Sequence, residues 1–157
     1  GKGKIYNLDP FGFKYLSQYV KKTIRHFPGI AEENIYAVSN KSGEDSGKEL
    51  GNSRTITIDD FVTSQNLEKV DLIKMDIEAM EELAVPRMLE TVKKFRPQLA
   101  IAIYHKPEHF WELPMLIIEN CKDYNFYFNI FSSNINQSLF IITLKCHCNS
   151  FFHFIIC

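Results

Sequence analysis

Val70-Asp71-Leu72-Ile73-Lys74-Met75-Asp76 is a largely apolar run with strong strand character that ends in a carboxylate, and Ile77-Glu78 follow it. Runs of this kind, without strict polar alternation, belong to strands buried on both faces of a parallel sheet. In open α/β sheets ligands bind beyond the carboxyl ends of such strands, which is where Asp76 and Glu78 fall.

Downstream, Met80, Leu83, Ala84, Met88 and Val92 make a helical stripe interrupted by Pro86, which either opens a second helix at its first turn or kinks the first. Pro97 precedes Leu99-Ala100-Ile101-Ala102-Ile103-Tyr104, a second apolar strand, and Lys106-Pro107 leads into a helix through Phe110, Leu113, Ile117 and Ile118. Residues 124–131 and 139–145 are predicted strands joined by a polar loop of hairpin length. Upstream, the β-branched run Thr55-Ile56-Thr57-Ile58 passes into Asp59-Asp60-Phe61-Val62, where an Asp is expected to cap a short helix. Residues 34–38 form a short strand before the polar loop 39–53. At the start, Lys4-Ile5-Tyr6-Asn7-Leu8 is a strand ended by Asp9-Pro10, and apolar residues from Phe11 to Phe27 recur at helical spacing before Pro28-Gly29. Strands alternating with helices predict an open, mostly parallel α/β sheet that closes with a C-terminal antiparallel hairpin.

With 45% hydrophobic and 24% charged residues, 157 residues suffice for one globular core. The 18 basic and 19 acidic side chains are well mixed and leave a formal charge of −1, so no basic footprint argues for nucleic acid. The longest apolar runs fall well short of the roughly 20 residues a membrane-spanning helix needs, and the first residues do not form a signal peptide. Three of the four cysteines crowd into the last dozen residues, unlike a disulfide framework, which fits a cytoplasmic location. Cys146-His147-Cys148 lacks the two-residue gap of structural zinc sites, so no metal site is assigned and the tail is expected to be disordered or loosely packed.

Three places carry candidate chemistry. Asp9 stands where a nucleotide-fold enzyme puts the acid that accepts from a ribose diol, although Asp-Pro is also an ordinary turn. Asp76, Glu78 and Glu81 gather at a strand end near a helix start, where acids act as caps, as a base, or as partners of a cofactor amine or substrate hydroxyl. His105, just past the second apolar strand, either takes a substrate proton or only bonds the backbone there. Tyr104 is expected on the opposite face, in the core.

The run Thr57-Ile58-Asp59-Asp60-Phe61, then Val70 to Glu78, then Arg96-Pro97-Gln98-Leu99-Ala100-Ile101-Ala102-Ile103-Tyr104-His105, closely resembles the FkbM methyltransferases in wording and spacing. The resemblance also takes in residues 3–10 and 38–43 and reaches about Lys145. It therefore divides the chain into a partial methyltransferase domain, 1–145, and an atypical Cys- and Phe-rich tail, 146–157.

The resemblance implies a Rossmann-like class I methyltransferase sheet, S-adenosylmethionine as cofactor, and methyl transfer to a hydroxyl of a small-molecule, sugar or lipid-like acceptor. By position, Asp9 would bind the cofactor ribose and Ser39 and Asn40 would lie beside the adenine. Asp76 would contact cofactor and, with Glu78, face the transfer centre, while His105 borders the acceptor pocket. Two departures stand out. Ala79 occupies a place where the family usually has Gly, and the family's first strand with its Gly-rich loop has no counterpart here. That strand is central in the family, so a gap is expected between the strands ending at Asp9 and Asp76 unless the two pair directly. The chain is accordingly expected to be a piece of a longer product or a truncated frame, active only when the missing segment is supplied. The alternative is a non-catalytic remnant that uses the open sheet gap as a docking edge. Another adenine-nucleotide enzyme is disfavoured by the lack of a phosphate-cradling loop.

Overall fold

The computed structural model describes residues 3–10, 29, 31–48, 52–122, 124–130, 138–143 and 153–156. In chain order these form β1 Lys4–Leu8, β2 Ala31–Asn34, β3 Tyr36–Val38, β4 Arg54–Ile56, α1 Ile58–Ser64 and β5 Leu72–Met75. Then come α2 Glu81–Ala84, a 3-10 turn Val85–Arg87, α3 Leu89–Phe95, β6 Gln98–Ala102, α4 His109–Asn120, β7 Asn125–Ile130, β8 Ser138–Thr143 and β9 His153–Ile156. The predicted helix over residues 11–27 and the Cys146-His147-Cys148 run lie outside the described residues.

Seven strands make one sheet in the order β2-β1-β9-β5-β6-β8-β7. From β2 to β6 every pairing is parallel; β8 runs antiparallel to β6, and β7 antiparallel to β8. β3 and β4 pair in parallel as a separate two-stranded sheet. Continuous apolar sequence at β5 and β6 has the consequence expected for interior strands. Ile73 and Met75 alternate with half-buried residues, whereas in β6 all four residues from Leu99 to Ala102 are buried, which requires cover on both faces.

The gap expected between the strands ending at Asp9 and Asp76 is not open. β9 lies in it, with Ile155 opposite Tyr6 on one side and Ile73 on the other. Backbone N–H and C=O groups in the middle of a buried sheet must be bonded, and the end of the chain supplies partners to both neighbours at once. The expectation of a loosely packed tail is thus corrected for residues 153–156, and so is the idea that the gap offers a docking edge.

Smaller corrections have local causes. The strand expected over residues 34–38 breaks at Ile35, which is exposed, so that one half joins β1 and the other β4. The cap of α1 is Thr57 rather than an Asp: its hydroxyl accepts from the Asp60 amide at 3.0 Å. Asp59 is thereby free to tie α1 to α3, accepting from the Thr91 amide at 2.8 Å and the Thr91 hydroxyl at 2.6 Å. Pro86 does not kink a helix; it sits in the 3-10 turn that separates α2 from α3. Ile58, Phe61, Met88, Val92 and Ile117 pack on Tyr6, Ile73, Met75, Leu99 and Ile101, with the Tyr6 ring edge-on to Phe61 at 5.6 Å.

Ile155→Pro removes an N–H from the middle of the sheet and orphans its acceptor, for an expected loss of about 3 kcal/mol. Urea unfolding followed by circular dichroism measures it; an unchanged midpoint would mean that β9 does not pair in solution.

Candidate active site

Parallel neighbours in register deliver their next residues to the same edge. Met75 of β5 lies opposite Ile101 of β6, so Asp76 and the segment Ile103-Tyr104-His105 leave the sheet side by side. The chain then turns sharply after Asp76, with φ of 54° at Glu78 and 70° at Ala79. Left-handed backbone costs an L-residue with a Cβ about 1–2 kcal/mol. Ala79, where the resemblance leads to an expected glycine, therefore adopts a conformation that glycine would take without strain.

That turn drops Glu81 under the strand ends, where it is completely buried. Its Oε1 accepts from the Ile77 amide at 2.8 Å and stands 3.2 Å from His105 Nδ1, while Oε2 faces His109 Nδ1 at 3.8 Å. A buried carboxylate is tolerated only with compensating donors or charge, and here two imidazoles and one amide surround it. His105 turns its other nitrogen outward: Nε2 is 3.8 Å from Asp76 Oδ1 and 3.4 Å from Oε2 of the exposed Glu78. His109, fully buried in the first turn of α4, also approaches Glu82 at 3.4 Å. Lys106 and His109 together hold the Glu82 carboxyl below its ordinary range.

Tyr104, expected in the core, is half-buried and donates its hydroxyl to Asp76 Oδ1 at 2.9 Å. Strand alternation does not apply to it because β6 ends at Ala102. Burial, reinforced by the bond to Asp76, pushes its phenol up to about 12, so it remains a donor through the neutral range. Lys74 Nζ stands 3.7 Å from the other Asp76 oxygen.

Asp76, Glu78 and His105 are thus brought together. Asp9 ends on the same edge: Asn7 and Lys74 flank Ile156 in register, so Asp9 and Asp76 follow strands separated by one intervening strand, about 10 Å apart at sheet spacing. The Asp9 amide donates to the Asn34 carbonyl at 3.2 Å. Ser39 and Asn40 leave the small sheet instead, with the Ser39 amide on the Ile56 carbonyl at 3.0 Å and its hydroxyl on Asn40 Oδ1 at 3.3 Å. Asn40 borders a wide-mouthed polar depression of about 440 Å³ shared with Ser42, Glu44, Thr57, Asp60 and Arg87. None of the strand-end cluster lines it. Hydrogen bonds from Ser42 and Thr57 hold the Asp60 carboxyl below its ordinary range.

In the sequence Glu81 is one of three acids that serve as caps, as a base or as a cofactor or substrate partner, and nothing local to His109 marks it as a partner of Glu81. The spacing of four between the two histidines was an available signal, but only the fold aims both at one buried carboxylate.

The profile described as "Methyltransferase FkbM domain" matches residues 15–137. The fold is similar to the crystal structure of methyltransferase FkbM from Methylobacillus flagellatus KT, with a TM-score of 0.74 at 17% identity over 89% of this chain. This chain spans 36% of the length of that protein. Among curated proteins no relative matches it in sequence.

Two outcomes follow from the local geometry. Ala79→Gly relieves one left-handed residue and is expected to stabilise the fold by about 1 kcal/mol, raising Tm by roughly 2–4 °C in differential scanning calorimetry. Spectrophotometric titration of the native chain minus Tyr104→Phe should show one phenol ionising near pH 12. Because that pKa is raised on folding, the stability it contributes is complete below pH ~10 and is lost as pH climbs through the folded value.

Proposed function

This chain belongs to the FkbM methyltransferase family, and we propose that it serves S-adenosylmethionine-dependent methyl transfer to a hydroxyl of a small-molecule, sugar or lipid-like acceptor. The observation that carries the reading is the convergence of Asp76, Glu78 and His105 at one sheet edge on which Asp9 also ends. The donor set fits the cofactor's chemistry. A ribose diol needs an ionised acceptor, which Asp9 supplies, and a cationic sulfonium centre is favoured near carboxylates, which Asp76 and Glu78 supply. Ser39 and Asn40 offer polar contacts toward the adenine end. When bound, S-adenosylmethionine supplies an electrophilic methyl group.

The protein's own contributions are alignment and proton removal. Tyr104 and Lys74 address opposite oxygens of Asp76 and hold its carboxylate in place at the transfer edge. Glu81 faces Nδ1 of His105 and leaves Nε2 turned toward the outer carboxylates, the arrangement of a base whose orientation is set by a buried acid. His105 then accepts the acceptor hydroxyl's proton while the oxygen is held in line with the methyl group.

Isothermal titration with S-adenosylhomocysteine tests the cofactor half. The native chain is expected to bind, and Asp9→Ala to bind at least about tenfold more weakly, the loss of a charge-assisted hydrogen-bond pair. No binding by a folded chain, or equal binding by Asp9→Ala, would count against the assignment.

A further inference from the structure

Asp76, Glu81 and His105 each offer a ligating atom, and these atoms lie within 4.8 Å of one another. The cluster does not satisfy itself. The His105 side chain is only 8% exposed, yet neither ring nitrogen has a hydrogen-bond partner. Oε2 of the fully buried Glu81 lacks one as well. The carboxylates facing the ring stand 3.2 to 3.8 Å from its nitrogens but are too distant or misaligned for hydrogen bonding. Two ligands of one ion, each about 2.1 Å from it, sit roughly 3.0–4.2 Å apart in tetrahedral or octahedral geometry. His105 Nδ1 stands 3.2 Å from Glu81 Oε1 and His105 Nε2 stands 3.8 Å from Asp76 Oδ1, so either ring nitrogen has one carboxylate oxygen within that range, and the three ligating atoms together lie within 4.8 Å.

We propose that Asp76, Glu81 and His105 bind one divalent transition-metal ion. Imidazole with two carboxylates suits Mn²⁺, Fe²⁺, Co²⁺ or Zn²⁺ better than an all-oxygen preference such as that of Ca²⁺. A cation offsets the desolvated charge of Glu81, which no formally cationic Lys or Arg reaches among the described residues. The supporting contacts are those that fix ligands: Tyr104 donates to Asp76, the Ile77 amide to Glu81, and His109 faces the second Glu81 oxygen. The site needs only these side chains and does not rest on the methyl-transfer reading. The base role proposed for His105 belongs to the ion-free chain; with an ion bound, one of its nitrogens is committed and Glu78, 90% exposed beside the ring, is the group left to take a proton from an acceptor.

The experiment is titration of Mn²⁺ into the chelator-stripped full chain, read by electron paramagnetic resonance and calorimetry without any sulfonium compound. A Cys146→Ser/Cys148→Ser variant separates this site from the thiols of the tail. One ion per chain is expected in the native protein and in the cysteine variant. Affinity should fall at least tenfold in His105→Ala and in Asp76→Asn, the latter a change at a partly exposed residue that is expected to keep the fold, with circular dichroism as the check. Failure of the folded native chain to bind, binding that survives both ligand substitutions, or binding that disappears with the two cysteines would each overturn the assignment.

Discussion

Parallel pairing of β9 between β1 and β5 is the constraint on which the rest of the structure depends. A strand pair held apart in the middle of a sheet leaves rows of buried donors and acceptors, and no side-chain arrangement compensates for that many groups. Four residues from the end of the chain meet the need on both sides. Once they do, β1, β9, β5 and β6 share one direction, and everything leaving their carboxyl ends faces one edge. Asp9 shares the edge of Asp76 through this pairing, and the β5–β6 pairing then sets His105 beside Asp76.

The second organising feature is a buried charge. Glu81 is drawn beneath the strand ends by the left-handed pair Glu78 and Ala79, and its environment of two histidines and an amide is then set by the turn after β6 and the start of α4. Strain in the turn and desolvation of the carboxylate are both unfavourable locally, and both persist because the packed core around Ile73, Met75 and Ile101 fixes the elements that carry them. Strained, polar and buried arrangements of this kind concentrate where function is carried.

Much of the fold was legible. The apolar runs ending at Met75 and Ala102 identified interior strands, and Pro86, Pro97 and Pro107 marked the joints between elements, because backbone restriction and hydrophobic burial act locally. The candidate site was legible in its outer members: Asp76, Glu78 and His105 stand immediately after those strands, so position along the chain gave position in space. Glu81, His109 and Tyr104 were not, since their partners come from other elements. Whether a glutamate caps a helix or lies buried against two imidazoles depends on a turn whose φ values no residue type at Glu78 or Ala79 announces.

The sequence by itself determined the α/β class, the strands that form the sheet's interior and the edge where chemistry is possible, because these follow from periodicity and from residues next to each other in the chain. Tertiary structure alone decided that the residues 153–156 complete the middle of the sheet, and that the buried Glu81 joins the partly buried Asp76 and His105 in one cluster. Both outcomes depend on groups far apart in sequence satisfying one another's backbone bonds or charge, and that complementarity exists only once the chain is folded.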